Sequence, residues 1–232
     1  MPFSRESLDF LFENKLNDDK NWYEEHKDIY RRCITVPFSE LAMELAPMFD
    51  GIDSKLVCTP RRISRVRRDT RFTKDKSLFR DHIWISVSRP KERFEQIPEF
   101  YFCIEQAGFS LGCGYYQASA GSMDSIRELI LSDDKSFKAA KKALEIAPEF
   151  ILEGEMYKRD HFPNESEENK NWINRKSICI NYSSNDFDML FSDELAVMLK
   201  EEFMKIAPFY HFLEKAEENI VKKRVYHYRE DF

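Results

Sequence analysis

The chain contains no uninterrupted apolar run near the ~20 residues a bilayer crossing needs, and its opening Met1-Pro2-Phe3-Ser4-Arg5-Glu6 lacks the apolar stretch of a secretory signal. No membrane association is expected, and a cytoplasmic protein is. Its cysteines are few. Cys33, Cys58, Cys103, Cys113 and Cys179 are odd in number, lie far apart and form no C-x-x-C pair, which fits reduced thiols. The histidines His26, His82, His161, His211 and His227 show no i, i+3 or i, i+4 spacing that would set two ligands on one helical face. No metal and no cofactor is expected.

Nucleophile signatures are missing as well. There is no G-x-S-x-G elbow, and no Gly-Lys-Ser/Thr follows Gly112-Cys113-Gly114, where Gln117 takes the place of a third fingerprint glycine. Those glycines read as a bend or a close backbone approach at a strand end. Asp81-His82 and Asp160-His161 are adjacent pairs, and neighbours on a strand point to opposite faces, so neither is expected to form a relay. Nor does any repeat, low-complexity tract or Gly/Ser linker mark a boundary.

What is present is apolar surface. Of 232 residues, 42% are hydrophobic, with 20 Phe, 10 Tyr and 3 Trp, enough to bury a large core and offset the entropy of ordering. We expect a single domain over residues 1–232. Ser4 can cap a first helix with a Leu8, Leu11 and Phe12 stripe, a second helical run begins at Asn21, and a third runs from Pro37 through Phe38, Leu41, Ala42, Leu45 and Met48. From about residue 55 to 117 the pattern is strand-like, as in 83–87 and 100–104. Ser122 is a plausible cap for a helix whose Met123, Ile126 and Ile130 share a face. Two more helical runs, 136–147 and 192–206, bracket a polar stretch, 160–171, read as a loop, and the tail from Phe209 is helical. Helices, then strands, then helices is the α+β order, with a central, mostly antiparallel sheet.

Charge is unevenly spread. The protein carries net −6, yet residues 61–80 hold Arg61, Arg62, Arg65, Arg67, Arg68, Arg71, Lys74, Lys76 and Arg80 against only Asp69 and Asp75, a net of +7. Such a segment either binds an anion or is neutralised by carboxylates folded over it. If Ile63 to Phe72 is extended, Arg65, Arg67, Asp69 and Arg71 share one face, and Ser64, Val66, Arg68, Thr70 and Phe72 the other. Guanidinium forks grip phosphate or carboxylate through two oxygens at once. Asp69 and Asp75 stand among cations, which lowers a carboxyl pKa and makes a poor base. The tail Lys222-Lys223-Arg224-Val225-Tyr226-His227-Tyr228-Arg229 mixes bases with aromatics, but cations are favoured at a helix C-terminus anyway, and an acidic chain of pI near 5.5 lacks the footprint of a nucleic-acid binder.

The stretch Arg65-Val66-Arg67-Arg68-Asp69-Thr70-Arg71-Phe72-Thr73-Lys74-Asp75-Lys76 resembles the hallmark Arg-x-x-Arg-Asp-Thr-Arg-Phe-x-Lys-Asp-Lys of the domain of unknown function 2461 family. Asn21-Trp22-Tyr23 with Lys27 and Tyr30, and Gly112-Cys113-Gly114-Tyr115-Tyr116 leading to Ile126-Arg127, resemble two further segments of that family. The similarity covers most of residues 8–213, with Leu78 and Ala118 where prolines are usual and a weaker match over 158–170. The family has no established activity, so kinship implies no reaction. It does imply one candidate site: Arg65, Arg68, Asp69, Arg71, Lys74, Lys76 and Arg127.

The expected function is binding of an anionic or phosphorylated small molecule in a cleft at this segment, with or without transfer or hydrolysis chemistry. The alternative is a non-catalytic interaction module with an internally paired Arg/Asp network. Nucleic-acid contact through Arg61, Arg62, Arg67 and residues 222–229 is the weaker alternative, and the sequence does not name the protein partner that an interaction module would meet.

Overall fold

The computed structural model describes residues 3–71, 74–90 and 97–230, with side chains described through residue 221. The tail side chains of 222–229, singled out above for their bases and aromatics, lie outside the described ones. So do Phe72 and Thr73 of the family motif.

The fold is α+β. Helix α1 (Arg5–Asn17) starts at Ser4, where the Ser4 and Ser7 side chains and backbones bond reciprocally as a capping box. Leu8 and Leu11 are buried as expected and Phe10 joins them, while Phe12, the third expected member of the stripe, is exposed. After α2 (Lys20–Glu25), α3 (Lys27–Tyr30) continues through a π turn (Arg31–Thr35) into α4 (Val36–Ile52). In the π turn the Val36 N–H reaches back five residues to the Arg31 carbonyl. That wider circuit sits directly before Pro37, whose ring would clash with the carbonyl four residues earlier in a regular helix.

Strands β1 (His82–Val87), β2 (Glu99–Glu105), β3 (Gly108–Gly114), β4 (Ile151–Glu153) and β5 (Cys179–Ser184) form an antiparallel sheet ordered β1-β2-β3-β5-β4. β1 and β2 alternate half-buried and buried residues along their length, the period-2 pattern that their β-branched and aromatic composition predicts. At the end of β3, Gly114 has φ +148°, and a Cβ there would stand 2.4 Å from Cys179 Cα. The close approach expected at these glycines is present.

Helix α5 (Ala120–Leu131) is capped by Ser119, whose side chain accepts the Ser122 N–H. Ser122 itself is buried inside the helix, so the expected cap is displaced by three residues. Met123, Ile126 and Ile130 are buried together as expected. α6 (Lys135–Ile146) follows its Asp134 cap. Of the polar stretch 160–171 read as a loop, residues 160–166 are irregular as expected, and from Glu167 the chain forms α7 (Glu167–Ile173), started by the Ser166 side chain on the Asn169 N–H. After α8 (Phe187–Leu190), the two helical runs expected near the C-terminus form one helix, α9 (Leu195–Glu230), continuous through Pro208. A proline there forfeits one i−4 hydrogen bond, which the buried flanks Ile206, Ala207, Phe209 and Tyr210 offset.

The chain divides into two compact units. The first (Met1–Ser88, Tyr101–Leu111 and Ser183–Glu201) has a core in which the Phe3 and Phe38 rings meet edge-on at 4.8 Å and Phe38, Phe102 and Phe109 follow at 6.0 Å spacings. The second (Arg89–Phe100, Gly112–Tyr182 and Glu202–Phe232) is built on Phe137, Trp172 and Phe212, with Phe137 edge-on to Trp172 at 5.3 Å. Fully burying one such ring contributes roughly 1.5–3 kcal/mol.

Candidate functional site

The basic segment lies in the first unit, and its path is set by backbone pairing to residues 78–88. Single bridges join Val57 to Ser88, Ile63 to Ile85 and Arg67 to Phe79, all antiparallel. The Arg68 N–H donates to the Leu78 carbonyl and the Arg80 N–H to the Val66 carbonyl, each at 2.8 Å. The segment is therefore extended but not a regular strand.

Three side chains from the N-terminal helices fix this ribbon. Asp18, in the left-handed region at φ 46° just after α1, accepts the Leu78 N–H at 2.7 Å and the Phe79 N–H at 3.0 Å on one carboxylate oxygen. Lys15 donates to the Ser77 hydroxyl at 2.6 Å and to the Phe79 carbonyl at 3.3 Å. Tyr30 lies near the Val66 backbone of the same ribbon, and burial pushes its phenol up to about 12. Phe79, wholly buried, meets the Tyr23 ring at 5.1 Å.

Exposure alternates along the ribbon as extended geometry requires. Arg65, Arg67, Asp69 and Arg71 are exposed, Ser64, Arg68 and Thr70 are half-buried, and Val66 is buried. Val66 is thus the anchor of the inner face, and three guanidiniums with one carboxylate make up the outer one. Arg80 braces the ribbon by donating to the carbonyls of Arg65 at 2.6 Å and Arg67 at 3.1 Å, while its guanidinium sits 5.0 Å over the Trp84 ring.

The acidic residues of the segment are held within it. Arg71 grips Asp69 through both oxygens, at 2.9 Å from Nε and 2.6 Å from Nη2. This hydrogen bonding, with the Arg71 N–H added, holds the Asp69 carboxyl down at about 2. Arg68 Nη1 lies 2.9 Å from Asp75, whose pKa is lowered first by the Ser77 backbone N–H and then by the Ser77 side chain, with Arg68 adding its charge. Lys76 donates to the Thr70 carbonyl at 2.7 Å, and Lys74 is exposed. Among the described residues, Arg61, Arg62, Arg65, Arg67 and Lys74 form no ion pair.

Arg127 belongs to the second unit, where its fork is engaged by neighbours. It donates to the carbonyls of Ile173 at 3.3 Å and Arg175 at 2.9 Å, to Asp124 at 2.8 Å and to the Tyr157 hydroxyl at 3.4 Å. Its guanidinium also lies 5.5 Å over the Tyr157 ring.

The two Asp-His pairs differ from the expectation and from each other. His82 Nδ1 lies 2.8 Å from Asp81, because Asp81 precedes β1 and is not bound by its alternation. Asp160 instead accepts from Asn174 and from the Phe162 N–H, apart from His161. No group of three or more His, Cys, Asp or Glu able to hold a metal ion occurs among the described residues.

A family model described as conserved hypothetical protein (DUF2461) matches residues 6–212. The chain belongs to this family. No curated protein matches it. In this DUF2461 chain the supports of the site, Asp18, Lys15 and Arg80 with Tyr30, were not read as such from the sequence. Only Tyr30 carried a signal, as part of the helix shared with the family, and the Asp18 contact spans sixty residues with no local pattern to announce it.

Proposed function

We propose that the outer face of residues 65–76 binds an anionic small molecule, with a phosphate-bearing metabolite as the best match to its chemistry. Arg65 and Arg71 supply planar forks, Lys74 and Lys76 supply charge, and Asp69 fixes the Arg71 plane, while Arg68, on the opposite face, is held by Asp75. Arg67 extends the outer face. The observation that carries this reading is the unneutralised charge: the described ion pairs of the segment use only its own Asp69 and Asp75, and Arg65 and Arg67 face solvent without a carboxylate. The braced ribbon fixes the backbone from which these guanidiniums project, and each planar fork matches two oxygens at once. Asp69 and Asp75 are anionic and gripped by cations, so neither serves as a general base near neutrality. The reading is therefore binding, with any transfer chemistry resting on cations that stabilise developing charge.

The bidentate Arg71–Asp69 pair favours the second reading, an internally paired interaction module. Yet both side chains are more than half exposed, and ion pairs in that setting stabilise little. A cytoplasmic setting fits five separated free thiols. No helix among the described residues is long and apolar enough to cross a membrane.

Titration calorimetry with inorganic pyrophosphate tests the proposal. Arg65→Ala/Arg67→Ala is expected to keep the wild-type melting temperature and to bind ~10-fold or more weakly, since charged hydrogen bonds are lost. Equal affinity in the double variant, or no binding by the wild type, sinks it.

A further inference from the structure

We infer that the second unit holds a separate site for a small monocarboxylate with an apolar body, gripped by Arg175 in the cavity between α6, β4 and α7. The cavity measures about 350 Å³, within the span of small-molecule pockets. Leu144, Phe150, Leu152 and Trp172 give it apolar walls. Arg175 lines it too, although only 7% of its surface is exposed.

The chemistry of that guanidinium points to a ligand. Nε donates to the Asn171 carbonyl at 2.7 Å, Nη1 to the Gly154 carbonyl at 2.9 Å, and Nη2 to the Asn171 side-chain oxygen at 2.8 Å. Those bonds use three of its five N–H groups, so each terminal nitrogen keeps one donor for a further acceptor such as a carboxylate. Among the described residues no carboxylate forms an ion pair with it. The other charged side chain buried to this degree among the described residues, Glu214, is paired with Arg89. Burying a cation is costly, and burial accordingly lowers the Arg175 pKa, with the charge of Glu153 offsetting only part of that effect without forming an ion pair. An anion entering the cavity would relieve that cost.

The rim restricts which anion. Glu145 and Glu168 both line the cavity, and Lys141 neutralises Glu168 at 2.5 Å, which leaves Glu145 to repel a dianion. A single carboxylate on an aliphatic or aromatic body meets these conditions, whereas a phosphate monoester does not. This site stands on residues distinct from those of the basic ribbon, so either can fail without the other.

Titration of the full chain with sodium hexanoate and with 1-hexanol, followed by amide chemical shifts in NMR, tests it. Saturable hexanoate binding is expected, at least ~10-fold tighter than that of 1-hexanol because only the former pairs with the guanidinium. Leu144→Trp, which fills the cavity from a half-buried wall position, should keep the wild-type circular dichroism and weaken hexanoate binding ~10-fold or more. Arg175→Lys should weaken it similarly while retaining charge, and if that variant fails to fold, Leu144→Trp decides. Equal affinity for hexanoate and 1-hexanol, wild-type affinity in Leu144→Trp, or no saturation by about 10 mM hexanoate overturns the inference.

Discussion

Asp18 accepts the backbone N–H of Leu78, sixty residues away in sequence, at 2.7 Å, and so ties the end of α1 to the return limb of the basic ribbon. The same oxygen takes the Phe79 N–H, so one carboxylate satisfies two amides that would otherwise lack partners at a half-buried position. Replacing it by alanine leaves both amides unpaired. Asp18→Ala should cost about 1–3 kcal/mol in urea unfolding, and hydrogen exchange at Leu78 and Phe79 should accelerate more than at the β1 amides. Unchanged exchange at those two positions would show that the tie does not hold the ribbon.

Two glycines should respond to alanine with opposite signs. At Gly114 a Cβ would meet Cys179 Cα and Cβ at 2.4 Å and the Ile178 carbonyl oxygen at 2.7 Å, against backbone that has little room to yield. With φ at +148° adding strain, Gly114→Ala should destabilise by ~3 kcal/mol or more. Gly51 lies in the last turn of α4 with no atom within 4 Å of its virtual Cβ. There alanine should stabilise by roughly 0.5–1 kcal/mol, because it restricts the unfolded chain. Thermal melts of the two single variants check both directions.

Acid should expose the link between Asp134 and Lys215. Lys215 Nζ lies 2.8 Å from both Asp134 oxygens, and this bond, with the Ser136 side chain next, holds the carboxyl at about 2, below its ordinary 3.8. A carboxyl depressed on folding contributes stability above its unfolded pKa and loses it as pH falls through the folded value. Lys215→Met should therefore be less stable than wild type at about pH 5, with the gap closing between about pH 4 and pH 2. Urea midpoints across that range measure the gap, and a constant difference would assign the loss to packing of the lysine stem.

Much of the ribbon was legible because alternation is a local rule: Arg65, Arg67, Asp69 and Arg71 did turn outward together, opposite Val66. The α+β order was legible for the same reason, since β1 and β2 carry period-2 aromatic and β-branched runs. Misreadings arose where a choice between neighbours depends on distant packing. Phe10 took the core position over Phe12, and Ser119 took the cap over Ser122, although each alternative has equal local merit. Short β4 owes its existence to pairing with β5, in which Leu152 lies opposite Ile180, and three residues carry no period of their own. α7 is polar outside and buries only Trp172 and Ile173, so its stripe was too narrow to read. Pro208 hid the continuity of α9, because proline is ordinarily a stop. Arg175 stands in no sequence motif, and only the fold takes it out of water.

The π turn at 31–35 absorbs one residue more than an ordinary helical turn while carrying the chain through nearly the same rotation. Deleting a single amino acid there would restore the ordinary circuit and leave the flanking helices close to their present register, whereas the same deletion inside α4 would turn everything before it by about 100° around the helix axis. A one-codon loss in α4 would thus carry Tyr30 away from the basic ribbon, and the same loss at 31–35 would not.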